Sequence, residues 1–212
     1  MKTDNLPSLV AIVLAAGQSK RMGRSKLDLP WAGSTVIAHV VQTLALGAKD
    51  HGLNRIIVVV GGAHQQVSKA LTATSLDIQL QLQLNHEYAT SDMSASLKAG
   101  LRCLNDESAA MVVLGDQPQL HSDVVALLAQ TYQATRAPLI VPSFKMQRGH
   151  PWIVDRSLWS ELLELPPEFT LRHFLSLHAD QIYYVNVKTS TILQDLDTPE
   201  DYQKYAPKSS SH

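Results

Sequence analysis

Four cations, Lys20, Arg21, Arg24 and Lys26, crowd the stretch that follows an apolar run and carries two glycines, Gly17 and Gly23. Guanidinium and ammonium groups in such a loop pair with polyphosphate oxygens. Small Ala15 and Ala16 leave main-chain N–H groups uncovered, and the glycines can take positive φ or let a ligand approach the backbone. The chemistry predicted is a triphosphate cradle; the plainer alternative is a basic loop that binds nothing. Asp116, in Gly115-Asp116-Gln117-Pro118, is the second candidate. A carboxylate there can cap the next helix. Beside a triphosphate it can also ligate Mg²⁺, which takes one or two carboxylates together with phosphate oxygens. His150, in Gly149-His150-Pro151, reads equally as a substrate contact or as a structural histidine.

The elements that must position these groups follow from periodicity. Val10 to Leu14 and Ala109 to Leu114 are uniformly apolar and β-branched at several positions, as in parallel strands covered on both faces. Arg55 to Val60 reads the same way, and Gly61-Gly62 turns it into a helix near His64. Ile78 to Leu84 alternates strictly, so one face is wet and the strand lies near a sheet edge. Ser34 or Thr35 caps a helix after Gly33, and Asp92 or Ser94 caps another. A helix over 122–135, a strand over 139–142, a basic loop over 145–151 and a strand over 182–187 follow. Thr198-Pro199 is an N-cap with a first-turn proline. Strands and helices in alternation, with ligand groups at strand ends, predict a three-layer α/β/α sandwich with a mostly parallel, Rossmann-like sheet. A ligand is expected at the carboxyl edge of that sheet.

Spacing excludes two common phosphate loops. Five residues separate Gly17 from Gly23 and the lysine comes three later, so there is no G-x-x-x-x-G-K-[ST]. G-x-G-x-x-G is absent too. The stretch instead resembles the signature L-A-A-G-x-S-x-R-M-G-x-x-K of the MobA-like nucleotidyltransferases, matched by Leu14, Ala15, Ala16, Gly17, Ser19, Arg21, Met22, Gly23 and Lys26. The resemblance implies that these residues bind nucleotide, with Arg21 on the β- and γ-phosphates and Lys26 on the α-phosphate. Met93, Ser94 and Ser96 match the family's M-S-x-S helix start, with Asp92 where glycine is usual; Asn85 and Ser94 are the further expected nucleotide contacts, and capping explains Asp92 and Ser94 equally well. Gly115-Asp116-Gln117-Pro118 matches G-D-[QM]-P, which makes Asp116 the expected Mg²⁺ ligand and, with Arg21 and Lys26, a catalytic residue.

The ending D-[IL]-D-T-P-E-D-[LY] brings Asp195 or Asp197 to the metal as a second carboxylate, on one face of an alternating strand; capping is the rival role. Gly149 and His150 match G-H-P on the acceptor side. Relatives carry a G-D-x-G-A-R-like segment where this chain has Glu168 to Phe174, so Thr170 and Arg172 stand as acceptor-binding candidates. The implied reaction joins CTP and Mo-molybdopterin to give molybdopterin cytosine dinucleotide and pyrophosphate, with a molybdenum hydroxylase as a possible client. Another nucleotidyltransferase of this fold, acting with GTP or on a sugar phosphate, and a non-catalytic cofactor carrier are the alternatives.

Composition bounds the rest. The 212 residues suit one domain, expected over 1–206, with a polar disordered tail over 207–212. A net charge of -1 gives no general attraction to nucleic acid or anionic membrane. The beginning of the chain lacks a signal-peptide layout and no apolar run approaches a membrane span, so a cytoplasmic protein is expected. Cys103 stands alone, which excludes an intrachain disulfide, and no His/Cys cluster has zinc spacing.

Overall fold

Strand β1, Leu9–Ala15, is buried at every position, which only a central strand covered on both faces permits. The computed structural model describes residues 6–19, 22–90 and 92–207. After β1 come a small hairpin, β2 Pro30–Trp31 and β3 Ser34–Thr35, and helix α1, Val36–Ala48. Thr35 caps α1, accepting from the Ala38 N–H. Then follow β4 Leu53–Val60, α2 His64–Thr72, β5 Gln79–Leu84, α3 Met93–Leu101, β6 Ala109–Leu114 and α4 Ser122–Thr135. The chain continues through β7 Leu139–Phe144, β8 Gln147–Arg148, β9 Trp152–Asp155, α5 Trp159–Glu164, α6 Leu171–Leu177, β10 Ile182–Asn186 and α7 Pro199–Tyr205.

Among the described residues these strands form an eight-stranded sheet in the order β10-β7-β9-β6-β1-β4-β5, with β8 paired to β7. Strands β6, β1, β4 and β5 run parallel, as do β7 and β10, while β9 is antiparallel to both its neighbours. Side-chain alternation along β1 divides the core in two. Leu9, Ala11, Val13 and Ala15 join α1 and α4 on one face, and Val10, Ile12 and Leu14 join α3, α5 and α6 on the other. This is the expected three-layer sandwich. Strand β5 is an edge, as its alternation requires, and Trp152 and Ile153 are core residues.

Two local expectations change. The basic stretch 145–151 is not a loose loop: β8 folds back antiparallel on β7, and Lys145 and Met146 at the tip both have positive φ, as a tight hairpin turn demands. The segment carrying Asp195 and Asp197 pairs in no ladder. It is tied instead by the Leu196 N–H donating to the Asp116 carbonyl at 3.1 Å. Alternation survives without a strand, because fully buried Leu196 points into the core and its acidic neighbours point away. The polar tail, residues 208–212, lies outside the described residues.

Candidate active site

The carboxyl ends of β1 and β6 and the start of α3 enclose a cavity of about 540 Å³. Leu14, Ala15, Ala16, Gly17, Ser19 and Lys26 of the first loop line it, together with Asp116, Asp195 and Asp197. Lys26 and Asp116, ninety positions apart in sequence, therefore meet because β1 and β6 are neighbours. The Gly115 N–H donates to the Leu14 carbonyl at 3.0 Å, which holds the two strand ends side by side.

The loop is held in shape by Ser19, at a φ of 48°, whose hydroxyl accepts from the Lys26 N–H at 3.2 Å. Positive φ also falls on Gly23, at 67°. Met22, half-buried, packs against the core and does not line the cavity. Lys20 and Arg21 lie outside the described residues, so the expected role of Arg21 carries no geometry here.

Lys26 is the electrostatic hub. Its ammonium contacts Asp116 Oδ2 and lies 3.2 Å from Asp197 Oδ1. Burial works against the charged ammonium, but the Asp116 charge and hydrogen bond, with Asp197 behind them, outweigh it and hold the Lys26 pKa above its ordinary value. Asp195 is oriented from the other side by Gln117, only 2% exposed, whose Nε2 donates to Asp195 Oδ1 at 2.5 Å. Burial raises the Asp195 pKa; the Gln117 bond and Lys26 oppose the shift, and the Asp116 and Asp197 charges add to it.

Tyr88, Asp92, Met93 and Ser96 also line the cavity. Asp92 caps α3, its Oδ1 accepting from the Ser94 N–H at 2.9 Å and the Ser94 hydroxyl at 2.5 Å. Ser94 is thereby occupied and buried, and Ser96 takes the place on the cavity wall. Asn85 likewise turns inward, its Nδ2 donating to Ser96 Oγ at 3.1 Å. Tyr88 went unnoticed in the sequence. A Cβ at Gly61 would fall 2.7 Å from Tyr88 Cβ, so glycine there lets the tyrosine close in, and the Gly61-Gly62 pair was the available signal. Gln18 ties the same wall to the first loop, donating to the carbonyls of Tyr88 at 3.3 Å and Ala89 at 3.0 Å.

The acceptor candidates are not brought into this cavity. The Thr170 hydroxyl caps α6 by accepting from the His173 N–H at 3.2 Å, and Arg172 is exposed on the same short helix. Gly149 is buried against Ile192, and the His150 N–H donates to the Ile192 carbonyl at 3.0 Å. Continuing the β6–β9 register past Val112 and Trp152 sets His150 level with Leu114, two residues before Asp116. His150 does not line the cavity.

Burial lowers the His150 pKa to about 4. The unfolded chain, with a histidine near 6.5, binds the extra proton first, so this contribution is fully present above pH 6.5 and is lost as pH falls toward 4. Between pH 7.5 and pH 5 the loss is about 2 kcal/mol. Urea unfolding at the two pH values should show it in the wild type and show much less of it in His150→Gln; equal loss in both proteins would refute the assignment.

The carboxylates suit a hard divalent cation. Among the described residues no three His, Cys, Asp or Glu side chains form a ready metal cage. Asp116 with Asp195 or Asp197 offers two carboxylates facing an open cavity, the donor set that Mg²⁺ completes with phosphate oxygens and water.

A family model described as the MobA-like NTP transferase domain matches residues 11–182. A molybdenum cofactor cytidylyltransferase from Escherichia coli strain K12 is 25% identical over 197 residues, covering 93% of this chain and 95% of that protein. A nicotine blue oxidoreductase from Paenarthrobacter nicotinovorans is 29% identical over 164 residues, covering 74% of this chain and 76% of that one. The crystal structure of Rv0371c from Mycobacterium tuberculosis H37Rv superposes with a TM-score of 0.76 at 24% identity, covering 94% and 97% of the two chains. With Lys26 of the first loop and Asp116 of the second converging on one cavity, and with that domain spanning most of its length, the chain belongs to the MobA-like NTP transferase family and is a nucleotidyltransferase.

Proposed function

We propose that the protein transfers CMP from CTP to the terminal phosphate of Mo-molybdopterin, giving molybdopterin cytosine dinucleotide and pyrophosphate. The observation that carries the reading is the contact between Lys26 and Asp116, which joins the two motifs most specific to the family at one cavity edge. The Ala15-Ala16-Gly17 form of the loop and the cytidylyltransferase relative both favour the cytidylyl branch. A molybdenum hydroxylase would be the client for the product.

The attacking phosphate is already an anion at neutral pH, so the reaction asks for alignment and charge neutralisation more than for a base. Lys26 supplies a cation for the α-phosphate as charge builds there. Ala15, Ala16, Gly17 and Ser19 line the cavity and would cradle the phosphates, while Tyr88, Asp92 and Met93, which line it too, would meet the nucleoside. Asp116, with Asp195 or Asp197, would hold Mg²⁺, which screens the repulsion between two phosphate anions. Gln117 fixes the orientation of Asp195.

Calorimetric titration with CTP, GTP, ATP and UTP, with and without Mg²⁺, tests the reading. Magnesium-dependent preference for CTP, followed by pyrophosphate release in proportion to added molybdopterin acceptor, is the expected result. Preference for another nucleotide would move the function to a different transferase of this fold. Cofactor binding without pyrophosphate release would indicate a carrier, and an oxidoreductase would release none either.

A further inference from the structure

Lys26 joins two of the carboxylates at this centre, with its side chain only 11% exposed. We propose that Lys26 makes the centre selective for a metal–triphosphate complex over the bare divalent cation. The inference rests on the reading of the site as a metal-assisted nucleotidyltransferase centre.

A cation arriving alone must share Asp116 with the ammonium already seated on it. It brings no anion with it. Lys26 then either remains beside a like charge or gives up its charge-assisted bonds to Asp116 and Asp197 and regains water. Both outcomes oppose binding. A metal-chelated triphosphate reverses the balance, because its oxygens offer the ammonium new partners in the same step that frees the carboxylate. The main chain at Lys26 is fixed independently by its N–H bond to Ser19 Oγ, so rotation of the side chain alone exchanges the partners. Metal and nucleotide are thereby coupled, and coupling of this kind is reciprocal.

The test uses Mn²⁺ alone, without nucleotide, with the free ion followed by its electron paramagnetic resonance signal. Four proteins are compared: wild type, Lys26→Met, Asp116→Asn and the double variant. Lys26→Met is expected to bind Mn²⁺ at least tenfold more tightly than wild type, and Asp116→Asn is expected to weaken binding in both backgrounds. Equal or weaker binding by Lys26→Met, with Asp116→Asn still weakening it, would overturn the selectivity while leaving the metal-assisted reading intact. Mn²⁺ binding indifferent to Asp116→Asn in both backgrounds would overturn both. Lys26→Gln, polar but uncharged, guards against a local packing artefact of methionine: it must shift the affinity in the same direction, and failure to do so refutes the role of the charge.

Discussion

Asp116→Ala is expected to lower kcat by a hundredfold or more while leaving the fold in place. The loss of one group aimed at charge developing in a transition state costs ~3–4 kcal/mol, and Asp116 stands where the proposed metal and Lys26 meet. The cost to stability is much smaller. The carboxylate faces the cavity at 20% exposure, and Lys26 keeps Asp197 as a partner when Asp116 is lost, so its buried charge is not left unpaired. The structural service of this residue comes from its backbone carbonyl, which accepts from the Leu196 N–H and survives the substitution. A steady-state assay of pyrophosphate release beside a thermal unfolding curve decides the matter. A fall in kcat at nearly constant Tm is the expected pair of results. Retained turnover would remove Asp116 from the chemistry, and collapse of the fold would show that its side chain is structural.

Much of this site is legible in the sequence because its strongest signals are local. Strand β1 is apolar at consecutive positions and then breaks into glycine and charge, and β6 repeats the pattern before Asp116. Two such strands in an α/β sheet must end on one edge, so their loops were bound to meet. The cap of α7 was equally local: Thr198 and Asp201 exchange bonds in a capping box behind Pro199. What stayed hidden depends on contacts distant in sequence. Asn85 and Ser94 look like ligand donors in isolation, yet each is claimed by the fold, one by Ser96 and the other by Asp92. Tyr88 lies in a segment without periodicity, and its place on the cavity wall depends on close packing against Gly61 and on the bond from Gln18. Thr170 and Arg172 match the family only in position along the chain, without its motif, and neither lines the cavity. Hydrophobic period reports which face is buried; it does not report which loop a polar side chain will find.

Gly149→Ala is expected to destabilise the protein by about 2–3 kcal/mol, the upper part of the range for overpacking a filled site, and through that to loosen the acidic segment of the active site. A Cβ at this position would lie 2.3 Å from the Ile192 carbonyl oxygen and 2.7 Å from Ile192 Cγ1. A flexible side chain could rotate away from such a clash; a main-chain oxygen cannot. That carbonyl also accepts from the His150 N–H, so relief of the clash costs a hydrogen bond as well as packing. Ile192 is fully buried and stands three residues before Asp195, so its displacement carries to the segment that Gln117 and Lys26 engage. For a chain of this length each 1 kcal/mol shifts Tm by roughly 2–4 °C, giving an expected fall of about 4–12 °C. Nucleotide affinity in the presence of metal should fall with it. An acceptor-contacting glycine would behave differently, raising KM for the acceptor while Tm and nucleotide affinity stay unchanged. Thermal unfolding and nucleotide titration of the single variant therefore separate a packing glycine from a substrate-binding one, and the 2.3 Å approach of the Ile192 carbonyl argues for packing.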